Sequence, residues 1–171
     1  MQLNFFLCAA IAALIPLFLG FIWYHPKVFG TAWMNVNGFT DPEKMKEGFN
    51  MPLVFGLSYF LAFLISFPLS GVVIHQMGFF SMLQNHFTEE ATLKVFNDLM
   101  ATYGNDFRTF KHGALHGAIT GVFLALPIIA TGALFERRGF KYIAINAGYW
   151  ILCLLLMGGF LCQFVDLKSF G

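Results

Sequence analysis

Residues 141–165 read KYIAINAGYWILCLLLMGGFLCQFV, with no charged side chain after Lys141. A helix needs about 20 mostly apolar residues to cross the roughly 30 Å hydrocarbon core of a bilayer. An apolar run this long suits lipid rather than the interior of a soluble domain. Three further windows of the same kind lie upstream. Leu3 to Tyr24 is uncharged, Met51 to Phe80 carries only His75, and His112 to Phe135 carries two histidines near its start. In lipid the backbone must satisfy its own hydrogen bonds, and none of the windows shows the period-2 alternation of a barrel strand. The chain therefore reads as all-α: a single integral membrane domain over residues 1–171, built as a four-helix transmembrane bundle.

Composition agrees and excludes other classes. Of 171 residues, 58% are hydrophobic and 11% charged, against roughly 25% charged in soluble domains. Mean hydropathy is +0.70. The net charge of +1 leaves no basic excess for nucleic acid. The three cysteines all fall inside spans, as reduced packing residues rather than a disulfide frame. The first window lacks a basic n-region and exceeds a signal-peptide core in length, so it is expected to be a retained span.

Pro68 should bend the second window, which is longer than the bilayer requires. Pro16 and Pro127 sit similarly in the first and third spans, and a loose echo between them hints at a parallel repeat. Thr40-Asp41-Pro42-Glu43 in loop one is a helix-start signal, predicting a short interfacial helix to about Glu47. In loop two, Thr88-Glu89-Glu90 opens another helix, with Phe96, Leu99, Met100, Tyr103 and Phe107 at helical spacing on its apolar side. Trp23, Tyr24, Trp33, Tyr142, Tyr149 and Trp150 suit interfacial anchoring on the loop-one side.

Loops one and three carry Lys27, Lys44, Lys46, Arg137, Arg138 and Lys141. Loop two and the tail carry Lys94, Arg108, Lys111 and Lys168. Six positive charges against four favour loops one and three on the cytoplasmic side.

Three groups of residues stand out. Gly113, Gly117 and Gly121 form a small-residue stripe that lets helices approach closely, toward another span or another copy of the chain. His112 and His116 share one helix face, and His75 enters from the second span on the same membrane side. Together they are a candidate metal or haem site or a proton-linked group, or else interfacial side chains bonded to carbonyls or water. Trp23, Tyr24, His25, Glu136, Arg137, Asn146 and Tyr149 gather on the opposite side. They read as a polar latch, or alternatively a gate, with a buried Glu–Arg pair.

No phosphate-binding loop, dinucleotide fingerprint, nucleophile elbow or zinc-protease motif is present, so the sequence leans away from an enzyme. No cofactor is expected apart from the metal or haem alternative. The expected partners are the lipid bilayer and a second copy or another membrane protein, with no nucleic acid.

The motif residues carry a resemblance. Trp23-Tyr24-His25-Pro26, Phe29-Gly30 and Trp33, with Phe135-Glu136-Arg137-Arg138 and Asn146-Ala147-Gly148-Tyr149, resemble the bacterial membrane family called domain of unknown function 1761. His25 fills a position the family usually gives to a small residue, and the Phe-rich loop two is individual to this chain. The resemblance implies a small four-helix protein of the bacterial inner membrane and implies no activity. Three functions are compatible with these readings. The first is a scaffold or accessory subunit packing through the third-span glycines. The second is a small oligomeric channel or transporter with Asn146, Thr120, Thr131, His116 and His75 on one face. The third is a membrane redox or metal-binding subunit using His75, His112 and His116.

Overall fold

The computed structural model describes residues 2–39, 48 and 50–167, and it is all-α. Four helical spans, Phe5–Trp23, Met51–Val73, Phe110–Phe135 and Phe140–Phe164, are long and apolar enough to cross a membrane. Among the described residues no strand forms. One isolated bridge joins Leu3 to Val165, tying the start of the first span to the end of the fourth.

Each proline-bearing span departs from a straight α-helix in its own way. The first is α1 (Phe5–Ala12) and α2 (Leu14–Trp23), separated at Ala13. Pro16 has no N–H for the carbonyl of Ala12, so the ladder is interrupted just before it. The third is α7 (Phe110–Thr120), a π-helical turn over Gly121–Ala125, and α8 (Leu126–Phe135). The wide turn ends immediately before Leu126-Pro127, where the i→i−4 ladder would lose a donor.

The second span behaves differently from expectation. Pro68 lies inside α4 (Met51–Val73) without ending it. The break comes at Ile74, in extended conformation with φ −112° and ψ 97°, and α5 (Gln76–Leu83) starts beyond it. The 51–80 window is thus two helices. At about 1.5 Å per residue α4 alone is long enough to cross a bilayer core. Around Pro68, the hydroxyls of Ser66 and Ser70 donate to the carbonyls of Ala62 and Ser66, which keeps two buried polar groups satisfied.

The fourth span, α9 (Phe140–Phe164), is the axis around which the others pack. Its nearest neighbour is α7, and the contact is made by glycine. A Cβ on Gly113 would lie 2.3 Å from the carbonyl oxygen of Gly158, and one on Gly117 only 2.1 Å from that of Leu154. At Gly121 it would meet the Cα of Ile151 at 2.7 Å. These are backbone atoms that cannot swing aside. The small-residue stripe is therefore buried against α9 within the chain.

The rest of the core mixes small with aliphatic side chains: Cys8, Ala9, Ala12, Val73, Ile74, Met157, Leu161 and Cys162 are almost fully buried. All three cysteines are free thiols within it. Large apolar side chains such as Phe18, Phe21, Phe123 and Phe135 point outward instead. On a soluble protein such a surface would be an aggregation hazard; in a bilayer it is the lipid-facing side.

In loop one the helix predicted from Thr40 to Glu47 lies outside the described residues. Earlier in that loop, a π-helical turn (Pro26–Gly30) runs into α3 (Thr31–Asn37). Gly30 must be glycine there, because a Cβ would lie 2.2 Å from the carbonyl oxygen of Tyr24. Gly38 closes α3 in the left-handed region at φ 75°.

In loop two the predicted helix is α6 (Glu90–Tyr103). Glu89 precedes it but caps no backbone N–H. Its carboxylate instead accepts from Thr92 at 3.1 Å and pairs with His86 at 3.0 Å. The expected apolar face holds for Phe96, Leu99 and Met100, which are half-buried; Tyr103 is exposed, and Phe107 lies past the helix end at φ 60°. Phe96 packs on Phe87, and Phe87 on Phe80 of α5, so α6 rests over the bundle end without a buried residue of its own.

Candidate functional site

The break at Ile74 sets the position of His75. Ile74 is fully buried and anchors the turn, leaving His75 at the head of α5. Next to it, the buried Gln76 donates to the carbonyls of Tyr103 (2.9 Å) and Asp106 (2.8 Å), pinning the segment that leads into α7. Thr109 caps α7 by accepting from the backbone N–H of His112 at 3.3 Å. One turn separates His112 from His116, so both rings lie on one face, 4.5 Å apart.

The result is a three-histidine cluster drawn from two helices. His75 Nε2 lies 2.8 Å from His112 Nε2, and one ring nitrogen from each of His75, His112 and His116 lies within 4.8 Å of the others. An ion held at roughly 2.0–2.1 Å by tetrahedral nitrogens keeps them about 3.3 Å apart, inside the span already present. The His75 and His112 nitrogens, in hydrogen-bond contact at 2.8 Å, would part for both to hold an ion. The ring of Phe107 lies over the cluster, 5.1 Å from His112 and 6.2 Å from His75, so its unusual backbone conformation has a consequence here. The cluster includes no carboxylate or thiolate. His86 stays outside it, paired with Glu89 on the surface.

Close by is a clasp that sequence reasoning missed. Arg108 reaches across to the end of α9, where Nε donates to the carbonyl of Cys162 at 2.7 Å and Nη2 donates to that of Val165. A guanidinium on the last carbonyls satisfies unpaired acceptors and faces the negative end of the helix dipole. Burial pulls its pKa below the ordinary arginine value, and the nearby Cys162 and Asp166 oppose that pull. Nη1 is buried with no hydrogen-bond partner among the described residues. In sequence, Arg108 is one more loop charge; only the fold shows what it caps.

At the opposite end, part of the expected latch is assembled. Trp23 Nε1 donates to the carbonyl of Ile145 at 3.1 Å, and the Tyr149 hydroxyl donates to the carbonyl of Pro16 at 2.7 Å. The Tyr24 hydroxyl donates to Asn146 Oδ1 at 3.3 Å, while Asn146 Nδ2 donates to the carbonyl of Tyr142. Together these tie the first span to the fourth, and the Trp23 ring sits over Gly148.

The remaining three residues are not in it. His25 is exposed and caps its own turn, accepting from the N–H of Lys27. Glu136 and Arg137 are exposed at the turn, Arg137 with φ 57°, and no buried Glu–Arg pair forms. The neighbouring Arg138 takes the structural part. It donates to the carbonyl of Val36 at 3.3 Å, lies 5.4 Å over the Tyr142 ring, and meets Glu136 at 3.6 Å on the surface.

Nor do the five polar residues expected of a channel line one path. Asn146 is in the latch, Thr131 is exposed, and Thr120 donates to the carbonyl of His116 at 2.8 Å. Between them lies an apolar cleft of about 320 Å³, bounded by Pro68 and Val72 of α4, Thr120 and Leu124 of the third span, and Trp150 and Leu154 of α9.

These features define the class: a small all-α bundle of four helices long and apolar enough to cross a membrane, clasped by aromatic hydrogen bonds at one end and carrying three histidines at the other. Residues 7–162 match the family described as "Protein of unknown function (DUF1761)", and the chain belongs to it. No curated protein and no solved structure matches the chain.

Proposed function

We propose that this is an integral membrane protein that binds a first-row transition-metal ion at His75, His112 and His116. The observation that carries the reading is the convergence of three ring nitrogens from two separate helices within 4.8 Å. Imidazole donors suit zinc, copper, nickel and iron, and three of them leave a coordination position open for a further ligand. The scaffold reading draws less support, because its contact surface, the glycine stripe, is occupied by α9.

We place the protein in a bacterial inner membrane with loops one and three in the cytoplasm, which puts the histidines on the outer face. The six-to-four distribution of positive charge supports this orientation.

The test is metal titration of the purified full-length chain in lipid nanodiscs, with bound zinc measured after exhaustive dialysis. One ion per chain is expected, lost in the double variant His112→Ala/His116→Ala and in His75→Ala. Metal binding needs neutral imidazoles, so occupancy should fall as the medium is acidified. Zinc retained in both variants would sink the assignment.

A further inference from the structure

The histidine cluster and the apolar cleft draw on neighbouring stretches of the same two segments. On the third span Thr120, a wall of the cleft, lies one turn beyond His116 and donates to its carbonyl. On α4, Val72 lines the cleft three residues before His75, with the break at Ile74 between them. The cleft therefore begins about one helical turn, or roughly 6 Å, below the histidines and runs toward the middle of the bilayer.

Its walls carry almost nothing polar. The Thr120 hydroxyl is already donated to the His116 carbonyl, and Pro68, Val72, Leu124 and Leu154 are hydrocarbon. At the mouth, three neutral imidazoles leave the charge of a divalent ion uncompensated, since the cluster supplies no carboxylate or thiolate. An anionic oxygen is the ligand best suited to the open position. The groove thus asks for a hydrocarbon chain below and one negative oxygen head above.

We infer that the site takes a fatty acid, with its carboxylate on the histidine-bound ion and its chain in the cleft. This rests on the metal reading, and the experiment separates the two. Trp150 lines the cleft, whereas Trp23 and Trp33 belong to the opposite end. A fatty acid brominated at mid-chain should quench Trp150 fluorescence in zinc-loaded protein in nanodiscs, saturating at one acid per chain. The matched brominated fatty alcohol, and the acid with zinc-free protein, should half-saturate at about tenfold higher concentration, as befits a lost charge-assisted contact. The signal should vanish in Trp150→Phe. Two cleft-filling variants, Ala125→Phe and Val72→Phe, should each keep their zinc and lose the quenching.

Equal quenching by acid and alcohol in zinc-loaded protein would overturn the inference while leaving the metal site intact. So would quenching that survives in a cleft-filled variant that still binds zinc. If no zinc binds but the acid is still preferred over the alcohol, the metal reading fails and the inference is overturned with it, because something other than the ion holds the carboxylate. If no zinc binds and no preference appears, both fail.

Discussion

Replacing Gly117 by Ala places one methyl carbon 2.1 Å from the carbonyl oxygen of Leu154 and 2.7 Å from its carbon. Ordinary contact begins near 3.4 Å, so α7 and α9 must separate by more than an ångström, or one of them must bend. Neither side can yield by rotating a side chain, because both groups are backbone. Overpacking a tight core costs about 1–3 kcal/mol, and a backbone-to-backbone clash belongs at the upper end.

The paired control is Gly132→Ala in α8, where a new Cβ meets nothing within 4 Å. There the better helix propensity of Ala contributes up to about 1 kcal/mol of stability. Chemically identical substitutions in one span are thus expected to act in opposite directions. Thermal unfolding in a single detergent, followed by circular dichroism, reads the contrast. A loss of 2–3 kcal/mol in a chain this size lowers Tm by about 4–12 °C, while Gly132→Ala should leave it level or raise it. Equal Tm values for the two variants would refute the reasoning. So would a Gly117→Ala protein that keeps its Tm but changes its oligomeric mass, because the stripe would then be acting between chains.

Other expectations follow from the two ends of the bundle. Tyr149→Phe removes the hydroxyl that satisfies the Pro16 carbonyl and should cost about 1 kcal/mol, readable in the same melt. Arg108→Met strips the clasp from the carbonyls of Cys162 and Val165. It should speed hydrogen exchange in the last turn of α9 while leaving the turn at Tyr142 unchanged; uniform behaviour at both ends would count against a local clasp. Glu89 accepts from His86 and Thr92, which holds its pKa below the usual carboxylate value. Its contribution to the start of α6 is therefore present above the unfolded carboxylate pKa and is lost as pH falls through the depressed folded value. Protection of the Leu93 and Lys94 amides, measured against their intrinsic exchange rates, should fall in that acid window and lose its pH step in Glu89→Gln.

How much of this could be read from the chain depends on the range over which each residue acts. The spans rest on runs of apolar side chains, a local property, and they lie where the runs do. The histidine pair at i and i+4 is likewise local, and His75 joins it because both segments reach the same membrane surface. The end of the second span was less legible, since Pro68 is the visible breaker and Ile74 the real one. The backbone there is dictated by the burial of Ile74 and by Gln76 reaching the carbonyls of Tyr103 and Asp106.

At the tight turn after α8, adjacent residues point in different directions. Spacing could not tell which arginine enters the structure, and it is Arg138 rather than Arg137. The glycine stripe announced a close approach, but whether its partner was α9 or another molecule depended on matching Gly158 and Leu154 across a distance in sequence. Arg108 gave no local signal, because its partners are carbonyls, which every residue carries.

The most direct test of the central claim is X-ray absorption at the zinc edge on the metal-loaded protein in nanodiscs. The account predicts three imidazole nitrogens at about 2.0 Å and one lighter-atom ligand in the remaining position. The imidazole multiple-scattering signal should disappear in His112→Ala/His116→Ala. A spectrum with sulfur ligands, or with imidazole scattering that persists in the double variant, would contradict it.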